Sequence, residues 1–167
     1  MYQEIDGDLI GLARNGQFDV ITHGCNCLSN MGAGIAVAMK NTFGCNNFRM
    51  ELVGPSILKL GNIDFEDFLV SSFNVLPADY NGLSTQELKF PLTVINSYTQ
   101  YEYGGKMPLS YDALVLCLRK INYMFKGKHI GLPKIGCGLA GGDWNTVRLI
   151  IKNELKGCKV TVVNYKK

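Results

Sequence analysis

His23-Gly24-Cys25-Asn26-Cys27-Leu28-Ser29-Asn30-Met31-Gly32-Ala33-Gly34-Ile35 is the stretch whose reading decides how this chain folds. Before it, Phe18 to Thr22 reads as a short apolar strand entering a loop. After it, Ile35, Met39 and Phe43 recur four apart, one face of an amphipathic helix over 33–43. A glycine loop that opens a helix offers unpaired backbone N–H groups and the positive end of the helix dipole, a ready site for an anion. Gly-x-Gly alone serves an ordinary tight turn equally well. This loop is longer than a tight turn needs, however, and Asn26, Ser29 and Asn30 crowd it with groups that match sugar hydroxyls.

A second stretch repeats the arrangement. Leu132-Pro133-Lys134-Ile135-Gly136-Cys137-Gly138-Leu139-Ala140-Gly141-Gly142-Asp143-Trp144 follows an apolar segment and precedes another helical pattern. Glycines at this density are costly in backbone entropy, so a fold places them where φ must be positive or a ligand must approach the backbone. Two such loops in one small domain suggest a clamp around a diphosphate. Neither spells the dinucleotide-binding Gly-x-Gly-x-x-Gly, and neither carries the Gly-Lys-Ser/Thr of a P-loop.

Length and composition bound the rest. The 167 residues read as a single domain, 1–167, and 47% hydrophobic with 19% charged residues describes a folded chain with a real core. A net charge of +3, with only Lys126-Gly127-Lys128 and Lys166-Lys167 as basic clusters, argues against nucleic acid as a partner. No apolar run reaches membrane-spanning length, and the N-terminus lacks the regions of a signal peptide. Six scattered cysteines at 25, 27, 45, 117, 137 and 158 then read as free thiols in a reducing cytoplasm. Cys25-x-Cys27 has no second Cys/His pair at zinc spacing, so no metal is expected. Cys27 and Cys137 are the thiols placed to act as nucleophiles, against the commoner role of small buried residues.

Strand and helix patterns alternate along the chain, which points to an α/β fold. Tyr2 to Ile5 reads as a first strand, Leu9 to Ala13 as a helical turn, and Asn46 to Leu52 as a helical continuation stopped at Gly54-Pro55. Ile57 to Leu69 suggests a hairpin or bent strand pair, 77–89 an exposed insertion, Leu92 to Asn96 a strand, and Ser97 to Gly105 an aromatic loop. Ser110 is placed to cap a helix carrying Leu114, Cys117, Leu118, Ile121 and Phe125. A strand over Lys128–Leu132, a helix through Val147, Ile150, Ile151 and Leu155, and a closing strand Lys159–Tyr165 complete the reading. Both glycine loops then fall at C-terminal strand ends, where open α/β sheets bind ligands.

Gly7-Asp8-Leu9, Met31-Gly32-Ala33-Gly34-Ile35-Ala36 and the run from Pro133 through Trp144 resemble, in this order and spacing, the first-strand motif and the two ligand loops of macrodomains, the ADP-ribose-binding α/β family. The resemblance covers nearly the whole chain. It implies a three-layer α/β/α fold with a mixed, mostly parallel central sheet. The implied partner is ADP-ribose or a derivative of it, with no cofactor, and a monomer is the favoured state. The diphosphate is then expected between Met31, Gly32, Ala33, Gly34 and Ile35 on one side and Ile135, Gly136, Cys137, Gly138, Leu139, Ala140 and Gly141 on the other. Adenine is expected near Asp8 and Leu9, with Asp8 accepting from its amino group. Ser97 joins the ligand-binding set, and Tyr165 or a tyrosine of 98–103 is placed to stack on adenine or close over the ribose.

Three residues are expected to carry chemistry, each with a plainer reading beside it. His23-Gly24-Cys25-Asn26-Cys27 resembles the first loop of yeast-type ADP-ribose 1″-phosphate phosphatases. That resemblance makes Asn26 the residue orienting the distal ribose and His23 a general acid or base. Asp143 would position water. The plainer readings are an Asx turn for Asn26, a hydrogen-bonded core residue for His23 and a helix N-cap for Asp143. The implied activity is hydrolysis at the distal ribose, with ADP-ribose 1″-phosphate the first choice of substrate. The alternatives are a non-catalytic reader of ADP-ribose, or a hydrolase that removes ADP-ribose from acidic side chains or deacetylates O-acetyl-ADP-ribose. The branch acting on glutamate-linked ADP-ribose is similar at Met31 to Gly44 and at Ile135 to Leu139. It uses a lysine at the end of the strand matched to 94–97, where this chain reads Ile95-Asn96-Ser97, and an aspartate where this chain has Ala140. Lys106 stands nearby but out of register, so a lysine-adduct mechanism does not carry over.

Overall fold

The computed structural model describes residues 1–47, 54–76, 84–104 and 108–165. Six strands and four α-helices follow one another as β1 (Tyr2–Asp6), α1 (Leu9–Arg14), β2 (Val20–Asn26), α2 (Ile35–Phe43), β3 (Ile63–Leu76), β4 (Ser84–Gln100), α3 (Tyr111–Met124), β5 (His129–Leu132), α4 (Trp144–Glu154) and β6 (Lys159–Asn164). They form one sheet in the order β1-β6-β5-β2-β4-β3. Every neighbouring pair is parallel except β3 with β4. This is the mixed, mostly parallel sheet between helix layers that the alternating pattern predicts.

The two faces follow from strand periodicity, because successive side chains point to opposite sides. In β2, Val20 joins one core and Ile21 the other; in β4, Ile95 and Val94 divide the same way, as do Val162 and Val163 in β6. The first core is closed by Leu114, Leu118 and Ile121 of α3 and Val147 and Ile151 of α4. The second is closed by Leu9 and Ala13 of α1 and Met39 and Phe43 of α2. Each fully buried aliphatic side chain of this kind stabilises the fold by about 1.5–3 kcal/mol.

Three expectations change. The segment 57–59 is a short 3-10 turn capped by Ser56 Oγ on the Leu58 amide (3.2 Å), and β3 begins only after Gly61, whose φ is +74°. β2 runs on through His23-Gly24-Cys25-Asn26, and β4 through Ser97-Tyr98-Thr99-Gln100, both read from the sequence as loop. Residues 84–89 of the expected insertion pair with β3 as the outer part of β4. The rest of that insertion, 77–83, and most of the helical continuation over 46–52 lie outside the described residues.

The extension of β2 positions the site. Val20 and Ile21 pair with β5, and beyond Ile21 that pairing stops, while β2 stays joined to β4 as far as Asn26. β2 leads into α2 on one face, and β5 leads into α4 on the other. A sheet whose adjacent strands send their chains to opposite faces opens a crevice between their carboxyl ends.

Candidate functional site

A cleft of about 1290 Å³ fills that crevice. It is lined from both glycine loops, the ends of β2, β4 and β6, and the start of α1. Among the described lining residues the charged side chains are Asp8 and Lys134, and the Lys134 ammonium lies 5.2 Å from the centre of the Trp144 ring. An anion bound here would therefore be met mainly by backbone.

The helix starts supply that backbone unequally. Asp8 caps α1, accepting from the amides of Ile10 (3.1 Å) and Gly11 (3.2 Å). Ser110 Oγ caps α3 at Ala113 (3.2 Å), and Asp143 caps α4, accepting from the amide of Thr146 (2.8 Å). At α2 the capping position is Gly34, with φ +61° and ψ −148°, and no side chain closes the helix. That backbone geometry is essentially confined to glycine. The first amides of an α-helix have no partner within it. Gly34, Ile35 and Ala36 all line the cleft, so these open donors and the helix dipole face it.

The second loop contributes differently. It folds on itself through Gly142 N–H to Gly136 O (2.9 Å), Gly141 N–H to Gly138 O (3.0 Å) and Cys137 N–H to Lys134 O (3.0 Å). A Cβ on Gly142 would come within 2.3 Å of Leu109 Cδ2 and 2.8 Å of Gly136 O, so the loop needs glycine there to close. Its crest, Gly138-Leu139-Ala140, lines the cleft, and Leu139 is 78% exposed.

Asn26 ends β2 at the edge of the cleft. Its Oδ1 accepts from the Asn30 amide (3.0 Å) and its Nδ2 donates to Asn30 O (2.7 Å). The side chain thus closes the turn on which the first loop is built, and one amide hydrogen remains for a ligand. Gln100, its neighbour across the strands, lines the cleft and donates from Nε2 to Glu102 O (2.8 Å). At the opposite end Asp8, Leu9, Asn164 and Tyr165 line the wall, with Tyr165 largely exposed. Tyr103 faces the cleft as well, whereas Tyr98 is buried and donates to Asp64 Oδ2 (2.9 Å).

Most sequence-predicted ligand residues meet here: Asp8, Leu9 and Asn26, residues 32–35, residues 135–140, and Tyr165. Three others, and the expected catalytic residues Asp143 and His23, do not line the cleft. Met31 is buried beneath the loop against Cys45, and Ser97 is buried with Oγ 2.8 Å from Thr22 Oγ1. Gly141 turns away in the closure of its loop, and Asp143 is the cap just described. Its carboxyl is held below the usual range by the hydrogen bonds from Thr146, which keeps it ionised.

His23 departs furthest from expectation. It is fully buried, with Nε2 2.9 Å from Asn96 Oδ1. Asn96 Nδ2 donates to Cys45 O (2.7 Å), so its Oδ1 is the atom facing His23 and the ring donates from Nε2. Burial pushes the imidazole down to about 4, against the partial support of Asn96. His23 is a neutral, satisfied core residue and not an acid or base at the cleft. The thiols are not poised for attack either: burial raises Cys27 above its ordinary value and pushes Cys137 up to about 11. Asn30 and Tyr103 line the cleft as well, and Gly24, Cys25, Thr99 and Gln100 do so unforeseen. Recognising that the polar run 97–100 continued a central strand would have brought Thr99 and Gln100 to the site.

No protein-family model matches the sequence. Over 165 residues the chain is 26% identical to a 17.5 kDa protein of the tk-vs intergenic region of Enterobacteria phage T4, spanning 96% of this chain and 94% of that one. The macrodomain of Thermus aquaticus DarG superposes with a TM-score of 0.62 at 18% identity, covering 100% of this chain and 99% of that one. Thermosipho africanus DarTG in complex with ADP-ribose gives 0.63 at 17% identity, where 99% of this chain matches 41% of the longer one. The chain has the macrodomain fold. Within this fold, the strand that enters the cleft beside Asn26 ends at Gln100, not at Ser97. Lys106, which follows that strand in sequence, lies outside the described residues. Ala140, at the crest of the second loop, is buried.

Proposed function

We propose that this macrodomain binds ADP-ribose or an ADP-ribose derivative in the crevice between β2 and β5. The observation that carries the reading is the uncapped α2 N-terminus at Gly34, opening into a cleft whose one lining cation among the described residues is Lys134. A diphosphate there accepts from amides at 32–36 on one side and from the crest 138–140 on the other. Asp8 accepts from the adenine amino group, Tyr165 or Tyr103 covers an apolar face, and Asn26 holds the distal ribose. The ADP-ribose complex of Thermosipho africanus DarTG, similar in fold, supports this choice of ligand. Calorimetry with ADP-ribose tests it: saturable one-to-one binding is expected, with stabilisation of about 2.7 kcal/mol at a hundred times the dissociation constant. No thermal shift with ADP-ribose, alongside a shift with GTP, overturns it.

For turnover the first substrate is ADP-ribose 1″-phosphate, split by water to ADP-ribose and phosphate. With His23 sealed in the core, Asp143 is the ionised carboxylate that remains from the expected set, and the phosphate would have to extend past Gly141 to reach it. Phosphate release that falls about a hundredfold in Asp143→Asn supports this reading. Binding without release makes the protein a reader of ADP-ribose. A panel with O-acetyl-ADP-ribose and glutamate-linked ADP-ribose separates the other hydrolytic readings. The six unpaired cysteines support a reducing compartment, the cytoplasm, as the place of work.

A further inference from the structure

Lysine is almost never fully buried unless it is paired, yet Lys59 is 2% exposed. It ends the 3-10 turn Ile57–Lys59 and reaches back beneath the first glycine loop, where its ammonium donates to Ser29 Oγ at 2.7 Å. The same ammonium lies 5.5 Å from the centre of the Tyr98 ring, whose hydroxyl is bonded to Asp64. Asp64 Oδ1 is buried and has no hydrogen-bond partner among the described residues. A charged amine is thus seated among a ring face, a carboxylate and one hydroxyl, and that hydroxyl belongs to the ligand loop.

Ser29 is also the one non-glycine residue among those described with a positive φ, +60°. Such backbone is costly for a residue with a Cβ and persists only where its surroundings over-determine it. Here they do so from three directions. The Ser29 amide donates to Asn26 O (3.3 Å), the Asn26 side chain grips both backbone groups of Asn30, and Lys59 holds the Ser29 hydroxyl. The Lys59 turn is itself tied to the loop through Ser56 N–H to Cys27 O (3.1 Å).

We propose that Lys59 is a positioning residue for the ligand: through Ser29 it holds the 26–30 turn in the strained form that presents Gly32–Gly34 and the open start of α2 to the cleft. The proposal rests on the ADP-ribose reading only for the identity of the probe. Lys59 touches the loop directly but does not line the cleft, so it acts on the ligand only through backbone placement.

The test combines two variants. Lys59→Met removes the donor at similar size. Ser29→Gly removes the acceptor while making φ +60° comfortable, so a purely structural role would leave or raise thermal stability and leave affinity alone. Calorimetry with ADP-ribose is expected to show about tenfold weaker binding in each variant, with the double variant no weaker than the poorer single one. Ser29→Gly should keep its melting temperature. Amide hydrogen exchange over residues 29–34 should speed up in both variants relative to α3. Full affinity in Ser29→Gly, or losses that multiply in the double variant, overturns the assignment. Failure of the unaltered protein to bind ADP-ribose sinks the ligand reading alone. Exchange at 29–34 then still decides whether Lys59 sets the loop, and unchanged rates in Ser29→Gly would overturn it.

Discussion

The two glycine loops leave the sheet side by side, and each delivers the chain to a helix, but the helices begin in opposite ways. α2 starts at Gly34 with its amides open to the cleft. α4 starts at Asp143, which turns its own carboxylate onto the first turn. A helix N-terminus attracts one anion or another, and a built-in carboxylate fills the place an external one would take. The first loop therefore offers helix and loop together, while the second offers a wall of residues 135–140 and packs Gly136 and Gly142 against Leu109. Similar glycine content conceals two tasks: one loop presents a helix to the ligand, and the other shapes a wall.

The largest test strikes at the open terminus. Gly34→Ala places a Cβ where nothing of the protein lies within 4 Å but where φ is +61°. Holding that backbone is expected to cost about 1–3 kcal/mol. Disturbing several charge-assisted donors at once is expected to weaken ADP-ribose binding about a hundredfold. Calorimetry and denaturant unfolding read the two effects separately, and intact affinity would remove α2 from the site.

A second test concerns what lies beneath the first loop, since the second rests on Leu109 and the first on a polar seam around His23. The imidazole ordinarily protonates near 6.5 and in the folded protein near 4. The unfolded chain therefore takes up a proton first as pH falls, and stability present above 6.5 is lost on the way down to 4. That interval, at about 1.4 kcal/mol per pH unit, amounts to about 3 kcal/mol. Asp64, whose carboxyl burial raises, acts with the opposite sign and belongs to both proteins compared. Unfolding titrations of wild type and His23→Gln should diverge by that amount across the window. Parallel curves would mean that the ring is protonated inside the fold.

These contrasts were legible in the sequence only where periodicity speaks. Ile35, Met39 and Phe43, or Leu114, Leu118 and Ile121, announce their helices because each has a wet face and a dry one. β2 and β4 are buried on both faces, so alternation vanishes. Their polar residues, Thr22 against Ser97 and His23 against Asn96, are satisfied by partners more than 70 positions away. Read locally, His23 and Ser97 begin loops; read across strands, they belong to a core seam. For His23 the family resemblance pointed to a catalyst while the plainer local reading, a hydrogen-bonded core residue, matches its burial, and Lys59 went unnoticed. Ser110 and Asp143 were legible as caps because capping is local, and Gly34 was legible as part of a glycine loop that opens a helix.

A gentler probe addresses the wall. Gly138 has no positive φ, and a Cβ added there meets nothing within 4 Å. Gly138→Ala should leave the melting temperature unchanged, yet it should weaken ADP-ribose binding about tenfold where the ligand approaches the crest closely. Unchanged affinity would confine diphosphate recognition to the first loop.

The smallest effect on affinity is expected at Asp143, and it bears most directly on the comparison. Asp143→Ala strips the cap from α4 and leaves its first amides as open as those of α2. Cap loss should lower the melting temperature by about 3 °C. Asp143→Asn should restore it, because an asparagine side chain can still accept from the Thr146 amide. If α4 is truly turned away from the ligand, ADP-ribose affinity should stay within about twofold in both variants, since neither helix start nor carboxylate meets the diphosphate. Tighter binding in Asp143→Ala would mean that the second helix can serve as an anion site once its own carboxylate is gone, and that the two loops differ by one residue instead of by architecture. Unchanged binding with a fall in phosphate release from ADP-ribose 1″-phosphate in Asp143→Asn points elsewhere. It would make the carboxylate a water-positioning group that also caps, keeping the α4 terminus closed to substrate while giving its closing residue a share in the chemistry.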